Sequence, residues 1–173
     1  MLGRVFSRNV LHLVLLLSGL FLNEQVFAAD TIKGEVLGDG KPIAGSTVTL
    51  WEANPEAPKQ LAQTKSDTDG RFEVHGRARG SDTVLYLVAA GGTAKAKQGS
   101  GENAAIVLLS VLGNEPPDRV VVNELTTVAS AFTAARFITG TAISGNPLGL
   151  RIAAAKCPKS CRPGDGHMGQ GGA

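Results

Sequence analysis

Charged residues are scarce and nearly balanced in this sequence of 173 residues. The 17 Lys and Arg stand against 15 Asp and Glu, which leaves a formal net charge of +2. Nucleic-acid binding needs clustered basic residues that contact phosphates, so nucleic acid is not an expected partner. Aromatic residues make up only 5% of the chain, and an extensive aromatic core is therefore not expected either. An enzyme with a deep pocket of its own is not indicated.

Long hydrophobic runs are also missing, since a membrane span needs about 20 apolar residues. The apolar run at residues 10–22 follows Arg4 and Arg8 and precedes the small-residue site that ends at Ala28. This order is typical of a secretory signal peptide, and we predict residues 1–28 as that peptide, with cleavage after Ala29 as the second choice. The mature chain is then expected to be secreted or periplasmic, with no membrane span after cleavage.

Cysteine occurs only twice, as Cys157 and Cys161. In an exported chain this pair first indicates a disulfide. Zinc binding needs further ligands, and only His167 lies near, while a thioredoxin-like redox role needs a Cys-x-x-Cys spacing. We therefore predict no metal and no cofactor. The glycine-rich residues 156–173 are predicted to form a disordered tail.

Catalytic and calcium-binding patterns are incomplete. Asp67 and Asp69 precede Gly70 as they would at the start of a calcium loop, but the distal Glu of that loop is absent. A tight turn with Gly70 at positive φ is the favoured interpretation. His75 has no Gly-x-Ser-x-Gly nucleophile motif to pair with, so we interpret it as a surface strand residue. No catalytic residue is assigned, and we predict that the protein is not an enzyme.

Trp51 and Tyr86 are the large aromatic residues that carry polar groups. Stacking on a sugar ring would need both of them exposed together. Because they lie on different predicted strands, the sequence leaves two alternatives open. They are core or edge residues of an ordinary sandwich, or they belong to a carbohydrate-binding module.

Alternating polar and apolar runs, separated by Gly, Pro and Asp clusters, extend from residue 31 to about residue 111. They predict the fold class, which is mainly β: a small antiparallel β-sandwich over residues 29–112. Ile32, Gly34 and Val36 share one face of the first strand, and Phe72 and Val74 point inward. The runs at 83–90 and 104–111 are apolar on both faces and are predicted as central strands.

The hydrophobic period changes from two to about 3.6 in the segment at residues 113–155. After a short strand at 119–122, an N-cap at Asn123 begins a helix that is predicted to end near Gly140. Four apolar residues of this helix share one stripe: Leu125, Val128, Phe132 and Ala135. A second helix is predicted at 148–155. Two short helices bury too little apolar area alone, so they pack on the sandwich or lack a partner.

Three segments coincide in order and spacing with those of a known domain: GEVLGDGKPIAGSTVTL at 34–50, TKSDTDGRF at 64–72 and LYLVAAG at 85–91. Together, over about residues 31–92, they resemble the carboxypeptidase regulatory-like domain. That domain is a transthyretin-like, Ig-like sandwich related in architecture to starch-binding modules and to the B-type repeats of collagen adhesins. The resemblance implies a non-catalytic accessory or interaction module that contacts protein or glycan at the cell envelope.

Residues 120–154 resemble a linker region of large bacterial exported proteins that continue into NHL-type β-propeller repeats. This resemblance implies an alternative: the chain is a truncated N-terminal remnant whose activity lies in the missing part. The likeness stops near Lys156. Triplets shifted by one nucleotide permit a continuation of the family pattern there, so we hypothesise that residues 156–173 are out of frame.

Overall fold

The computed structural model describes residues 31–77, 80, 82–94, 101–117 and 119–156. The predicted signal peptide, Cys157, Cys161 and the rest of the tail lie outside these residues. The strands are β1 (Thr31–Gly38), β2 (Lys41–Ala44), β3 (Thr47–Ala53), β4 (Lys59–Lys65), β5 (Arg71–His75), β6 (Val84–Ala90), β7 (Thr93–Ala94), β8 (Val107–Gly113), β9 (Arg119–Val122), β10 (Ile138–Thr139) and β11 (Ala142–Ile143). The helices are α1 (Glu124–Thr133) and α2 (Pro147–Ala155).

The first sheet is built around β1. Strand β5 pairs antiparallel with the first half of β1, and β2 pairs with its far end and in turn with β7. Strand β9 pairs parallel with β1, with Gly34 opposite Val120. The strand at 119–122 lies beyond the boundary that the sequence suggests after residue 112, yet it completes the first sheet.

The second sheet is antiparallel throughout, in the order β4-β3-β6-β8. It packs on the first sheet, and the two together confirm the predicted small antiparallel sandwich with a short helical C-terminal piece. The described residues contain no helix that is long and apolar enough to cross a membrane.

The main core lies between the two sheets and follows the predicted alternation. Ile32 and Val36 of β1 point into it, as do Phe72 and Val74 of β5, all of them buried. The second sheet contributes Val48, Leu50, Leu85, Leu87, Ala89 and Leu108. Period-two patterning is sufficient to place these residues, because one face of each strand meets the opposite sheet.

A second apolar layer covers the outer face of the second sheet. Strand β6 is buried on both sides because Leu85 and Leu87 face the first sheet while Val84 and Tyr86 face the C-terminal segment. This confirms the prediction of a central strand at 83–90. The corresponding prediction for 104–111 is wrong, because β8 is the last strand of its sheet. Its faces are buried as in a central strand, but α1 packs beside it instead of another strand.

The helical segment starts as predicted and ends earlier. Asn123 Oδ1 accepts the N–H of Thr126, and Thr126 Oγ1 accepts the N–H of Asn123, each at 2.9 Å. This reciprocal cap confirms the predicted N-cap. Helix α1 ends at Thr133, not near Gly140, because the chain turns at 134–137 and pairs β10 with β11 around Gly140 at φ +62°. Helix α2 is confirmed, with Asn146 as its N-cap.

Candidate interaction surface

Helix α1 closes the free edge of β8 with its polar side. The backbone N–H of Leu109 donates to Thr127 Oγ1, and that of Val111 donates to Ser130 Oγ, both at 2.9 Å. Alternate N–H groups of an edge strand point away from its sheet, and unpaired groups of this kind invite pairing with another chain. Two hydroxyl groups, one helical turn apart, therefore accept the hydrogen bonds of β8 that a neighbouring strand would otherwise accept.

Because of this contact, the polar side of the amphipathic helix faces the sandwich and its apolar side faces solvent. Thr126 and Ser130 are buried against the sandwich, whereas Leu125 is 75%, Val128 69% and Phe132 85% exposed. The predicted apolar stripe is therefore present, but it faces solvent instead of the core. We call the stripe of Leu125, Val128, Phe132 and Ala135 the α1 apolar face; Ala135, in the turn after the helix, is also exposed.

The α1 apolar face is free of charge and has one charged residue at each end. No charged residue occurs between Glu124 and Arg136 in the sequence, and both of these side chains are exposed. Glu124 Oε1 accepts the backbone N–H of Asp39 at 2.9 Å, which anchors the start of the helix to the β1–β2 turn. In the sequence, the apolar stripe is thus preceded by one acidic residue and followed by one basic residue, which lies in the turn after the helix.

Helix α2 is anchored separately. Leu150 is buried in the second apolar layer, and Arg151 Nη1 lies 2.6 Å from Asp82 Oδ1 near the start of β6. Leu148 and Ile152 are 54% and 49% exposed. Both helices thus pack on the sandwich and still leave large apolar side chains in solvent, which is the usual mark of an interaction site.

Replacing the Ser130 hydroxyl tests whether α1 closes the β8 edge. Ser130→Ala leaves the buried Val111 N–H without a partner, and we expect it to lower the free energy of unfolding by about 1–3 kcal/mol. The matched control is Thr133→Ala, because the Thr133 hydroxyl donates to Ala129 O within the helix and serves no strand N–H among the described residues. That variant is expected to change stability by less than about 0.5 kcal/mol. Chemical denaturation of both variants is the measurement, and equal effects would contradict the assignment.

Trp51 and Tyr86 do not form an exposed platform. Their rings stack with centroids 6.4 Å apart and planes 14° from parallel, but Tyr86 is only 1% exposed and Trp51 is half-buried. The C-terminal segment covers the pair, and the N–H of Ile143 donates to Tyr86 Oη at 3.3 Å. Of the two alternatives that the sequence leaves open for these residues, the geometry favours a packing role.

The buried Tyr86 hydroxyl makes stability depend on pH in the alkaline range. Burial raises its pKa above the usual 10.0, while the hydrogen bond from Ile143 acts in the opposite direction. Above about pH 10 the unfolded phenol loses its proton while the folded one keeps it, so stability falls as pH rises. Below pH 10 both states hold the proton and this group contributes no pH dependence.

We expect Tyr86→Phe to cost about 1 kcal/mol at neutral pH, because Ile143 loses its acceptor. This difference in stability is expected to shrink above about pH 10. There the parent chain loses stability because its unfolded phenol ionises, whereas the phenylalanine variant has no phenol to ionise. Unfolding free energies of both proteins across that pH range test the prediction. Ultraviolet titration of the single tyrosine measures its pKa directly, and a value at or below 10 would contradict it.

Asp67 belongs to a tight turn. Its Oδ1 accepts the backbone N–H groups of Asp69 and Arg71, each at 2.8 Å, and Gly70 has φ +73°. The predicted turn and the positive φ of Gly70 are confirmed. Within the part of the chain that the structure describes, no three His, Cys, Asp or Glu side chains are grouped so that they could hold a metal ion.

His75 lies at the exposed end of β5, as predicted for a surface strand residue. Its Nδ1 is 3.1 Å from Thr31 Oγ1, and its Nε2 is 3.9 Å from Glu73 Oε1. Nearby, the outer face of the first sheet carries a groove of about 440 Å³. Both signs of charge line it: Lys33, Lys65, Arg71 and Arg119 stand beside Glu35, Asp67 and Glu73. The Lys33 ammonium lies 3.5 Å from Glu73 Oε2, so neighbouring charges offset each other and the groove favours no ion of one sign.

Comparison with known proteins supports the class of fold that these contacts define, a transthyretin-like β-sandwich. Residues 33–89 match the transthyretin-like family described as TTR-52. No curated protein matches the sequence. Among solved structures, a 9R-lipoxygenase from Cyanothece PCC8801 is similar with a TM-score of 0.33 at 13% identity. That similarity covers 56% of this chain and 16% of the lipoxygenase, and it is too low to carry an argument.

Proposed function

We propose that this chain is an exported, non-catalytic interaction module that binds a protein partner at the cell envelope through the α1 apolar face. The observation that carries the proposal is the exposure of Leu125, Val128 and Phe132 on one side of a helix whose polar side is buried. Burial of apolar surface contributes roughly 25 cal/mol per Å², so covering three such side chains stabilises a complex appreciably.

The face is held ready for binding. Helix α1 is capped at Asn123, bonded to β8 through Thr127 and Ser130, and attached to the β1–β2 turn through Glu124. A surface that is already ordered loses little conformational entropy when a partner binds. The sandwich thus acts as a scaffold that orients one helix.

Protein is favoured over glycan as the partner. Stacking on a sugar ring needs exposed aromatic groups together, but Tyr86 is buried and the α1 apolar face carries a single aromatic ring, that of Phe132, among aliphatic side chains. Apolar side chains at helical spacing are the anchors by which an amphipathic helix docks into a hydrophobic groove of a partner protein. A carbohydrate-binding module therefore has weaker support than a protein-binding one.

Site-directed photocrosslinking tests the proposal in the native host. A photoreactive phenylalanine analogue at Phe132 is expected to give protein adducts, because this side chain points to the partner. The same analogue at His75, an exposed ring on the opposite sheet, is the matched control and is expected to give few. Absence of adducts from position 132, or equal yields from both positions, would overturn the proposal.

Export and chain length are checked on the same material. N-terminal sequencing of the product outside the cytoplasm is expected to begin at Ala29. The alternative, a truncated remnant of a longer propeller protein, places the activity in the part that is missing. An immunoblot band of the native product well above 17.8 kDa would contradict truncation.

A further inference from the structure

We propose that the groove on the outer face of the first sheet binds a small amino dicarboxylate, a zwitterion with one ammonium and two carboxylate groups. The groove has a volume of about 440 Å³, which is within the range of sites for small molecules. It is lined by β5, β1, the start of β9 and the end of β4, and it uses no residue of α1. The inference therefore goes beyond the proposed function and is tested separately from it.

Two pairs of opposite charges face each other across β1 and β5, and only one of them forms an ion pair. Lys33 lies opposite Glu73, and Glu35 lies opposite Arg71, in the antiparallel ladder of the two strands. The Lys33 ammonium is 3.5 Å from Glu73 Oε2. Among the described residues no ion pair forms between Glu35 and Arg71, although both side chains line the groove. These two groups are therefore available to the opposite charges of one ligand.

The ammonium of the ligand is assigned to Glu35. This side chain is half-buried on the central strand β1, whereas Arg71 is exposed. Water is partly excluded from a half-buried carboxylate, so a charged donor that binds it contributes more than one that binds an exposed carboxylate. An ammonium group offers three N–H donors for this purpose.

The carboxylates of the ligand are assigned to the guanidinium groups on either side of Glu35. Arg71 lies opposite Glu35 on β5, and Arg119 lies on β9, opposite Lys33 and therefore diagonal to Glu35. Because Lys33 is paired with Glu73, Arg119 has only a basic side chain opposite it in the sheet. A guanidinium group binds a carboxylate through two parallel N–H donors. Two such groups that flank one carboxylate fit a ligand with two carboxylates and one ammonium, whereas a simple anion is repelled by Glu35.

Titration of the mature chain with L-glutamate, followed by the NMR signals of the backbone amides, tests the proposal. We expect saturable shifts that are largest at residues 33–35, 71–73 and 119. For so small a ligand in an open groove, the dissociation constant is expected to be on the order of millimolar. Salt screens exposed charges, so sodium chloride keeps the ionic strength constant. Glutarate lacks the ammonium and glutamine lacks the second carboxylate, and each is expected to bind about threefold or more weakly than glutamate.

Two variants separate the assigned roles. Glu35→Gln is expected to weaken glutamate binding about threefold or more and not to weaken glutarate binding, because only glutamate carries the ammonium. Arg71→Gln is expected to weaken the binding of both ligands. Arg136→Gln is the matched control, since this arginine is exposed in the turn after α1 and lies outside the groove. It is expected to bind glutamate as the parent chain does, and circular dichroism verifies that all three variants fold.

Three outcomes would overturn the assignment of this ligand class. They are the absence of saturable shifts at tens of millimolar glutamate, binding of glutarate or glutamine as tight as that of glutamate, and an unchanged glutamate affinity in Glu35→Gln. None of them bears on crosslinking from position 132, so the proposed function can stand while the groove proposal fails. Loss of crosslinks from position 132 likewise leaves the groove proposal untouched.

Discussion

Leu87→Ala is expected to lower the free energy of unfolding by about 2–5 kcal/mol. Leu87 is fully buried on β6, the strand between β3 and β8, and it points into the core between the two sheets. Truncation removes its transfer free energy and leaves a cavity that the flanking strands, held in their ladders, cannot close. Small domains are stable by only 5–15 kcal/mol, so this one change removes a large part of the total. Urea denaturation followed by the fluorescence of the single tryptophan measures the loss.

The same substitution at Leu148 is the control. Leu148 lies on α2 with more than half of its surface in solvent, and alanine has the higher helix propensity. We expect Leu148→Ala to change the unfolding free energy by less than about 1 kcal/mol. A loss at Leu148 as large as that at Leu87 would contradict the assignment of the core to the space between the sheets.

Gly34→Ala is expected to cost about 3 kcal/mol. A Cβ atom at this position would lie 2.3 Å from the carbonyl oxygen of Val120 and 2.6 Å from the ring of Phe72. The carbonyl belongs to β9 and the ring covers the glycine from β5, so relief requires a shift of a paired strand. The parallel pairing of β9 with β1 is therefore expected to weaken first, and amide exchange at Val120 and Val122 is expected to accelerate.

Gly101→Ala is the matched control for Gly34→Ala. Nothing lies within 4 Å of a Cβ at Gly101, and its φ is not in the left-handed region. A neutral effect, or a small gain from reduced freedom of the unfolded chain, is expected. If Gly34→Ala is equally neutral in denaturation, the close approach of β1 and β9 does not exist in solution.

The outward-facing helix has a cost and a benefit. Three large apolar side chains remain in water, but the edge of β8 is closed by hydroxyl groups and cannot add a strand from another molecule. The chain thus exchanges an open strand edge, which pairs with little selectivity, for a helix face whose side chains can select one partner. This exchange agrees with the proposed role in specific binding.

Much of the fold was predictable because it depends on local rules. Period-two alternation identified the inward residues of β1 and β5, and the apolar run at 83–90 identified β6 as central. The turn at Asp67, the positive φ of Gly70 and the N-cap at Asn123 followed from residues whose conformational preferences act within a few positions. The stripe of the candidate site was also visible, because helical periodicity alone shows which residues share a side.

Pairing between distant segments could not be predicted from local patterns. Nothing in residues 119–122 indicates that they add in parallel to β1, and β8 resembles a central strand because both of its faces are buried. The sequence by itself determined the strands, the caps and the amphipathic stripe of α1. Only the tertiary structure decided that this stripe faces solvent, because Thr127 and Ser130 satisfy the N–H groups of the β8 edge. A buried N–H without a partner costs about 1–3 kcal/mol. Satisfying the N–H groups of the β8 edge therefore offsets part of the free energy that is lost because the apolar stripe stays in solvent.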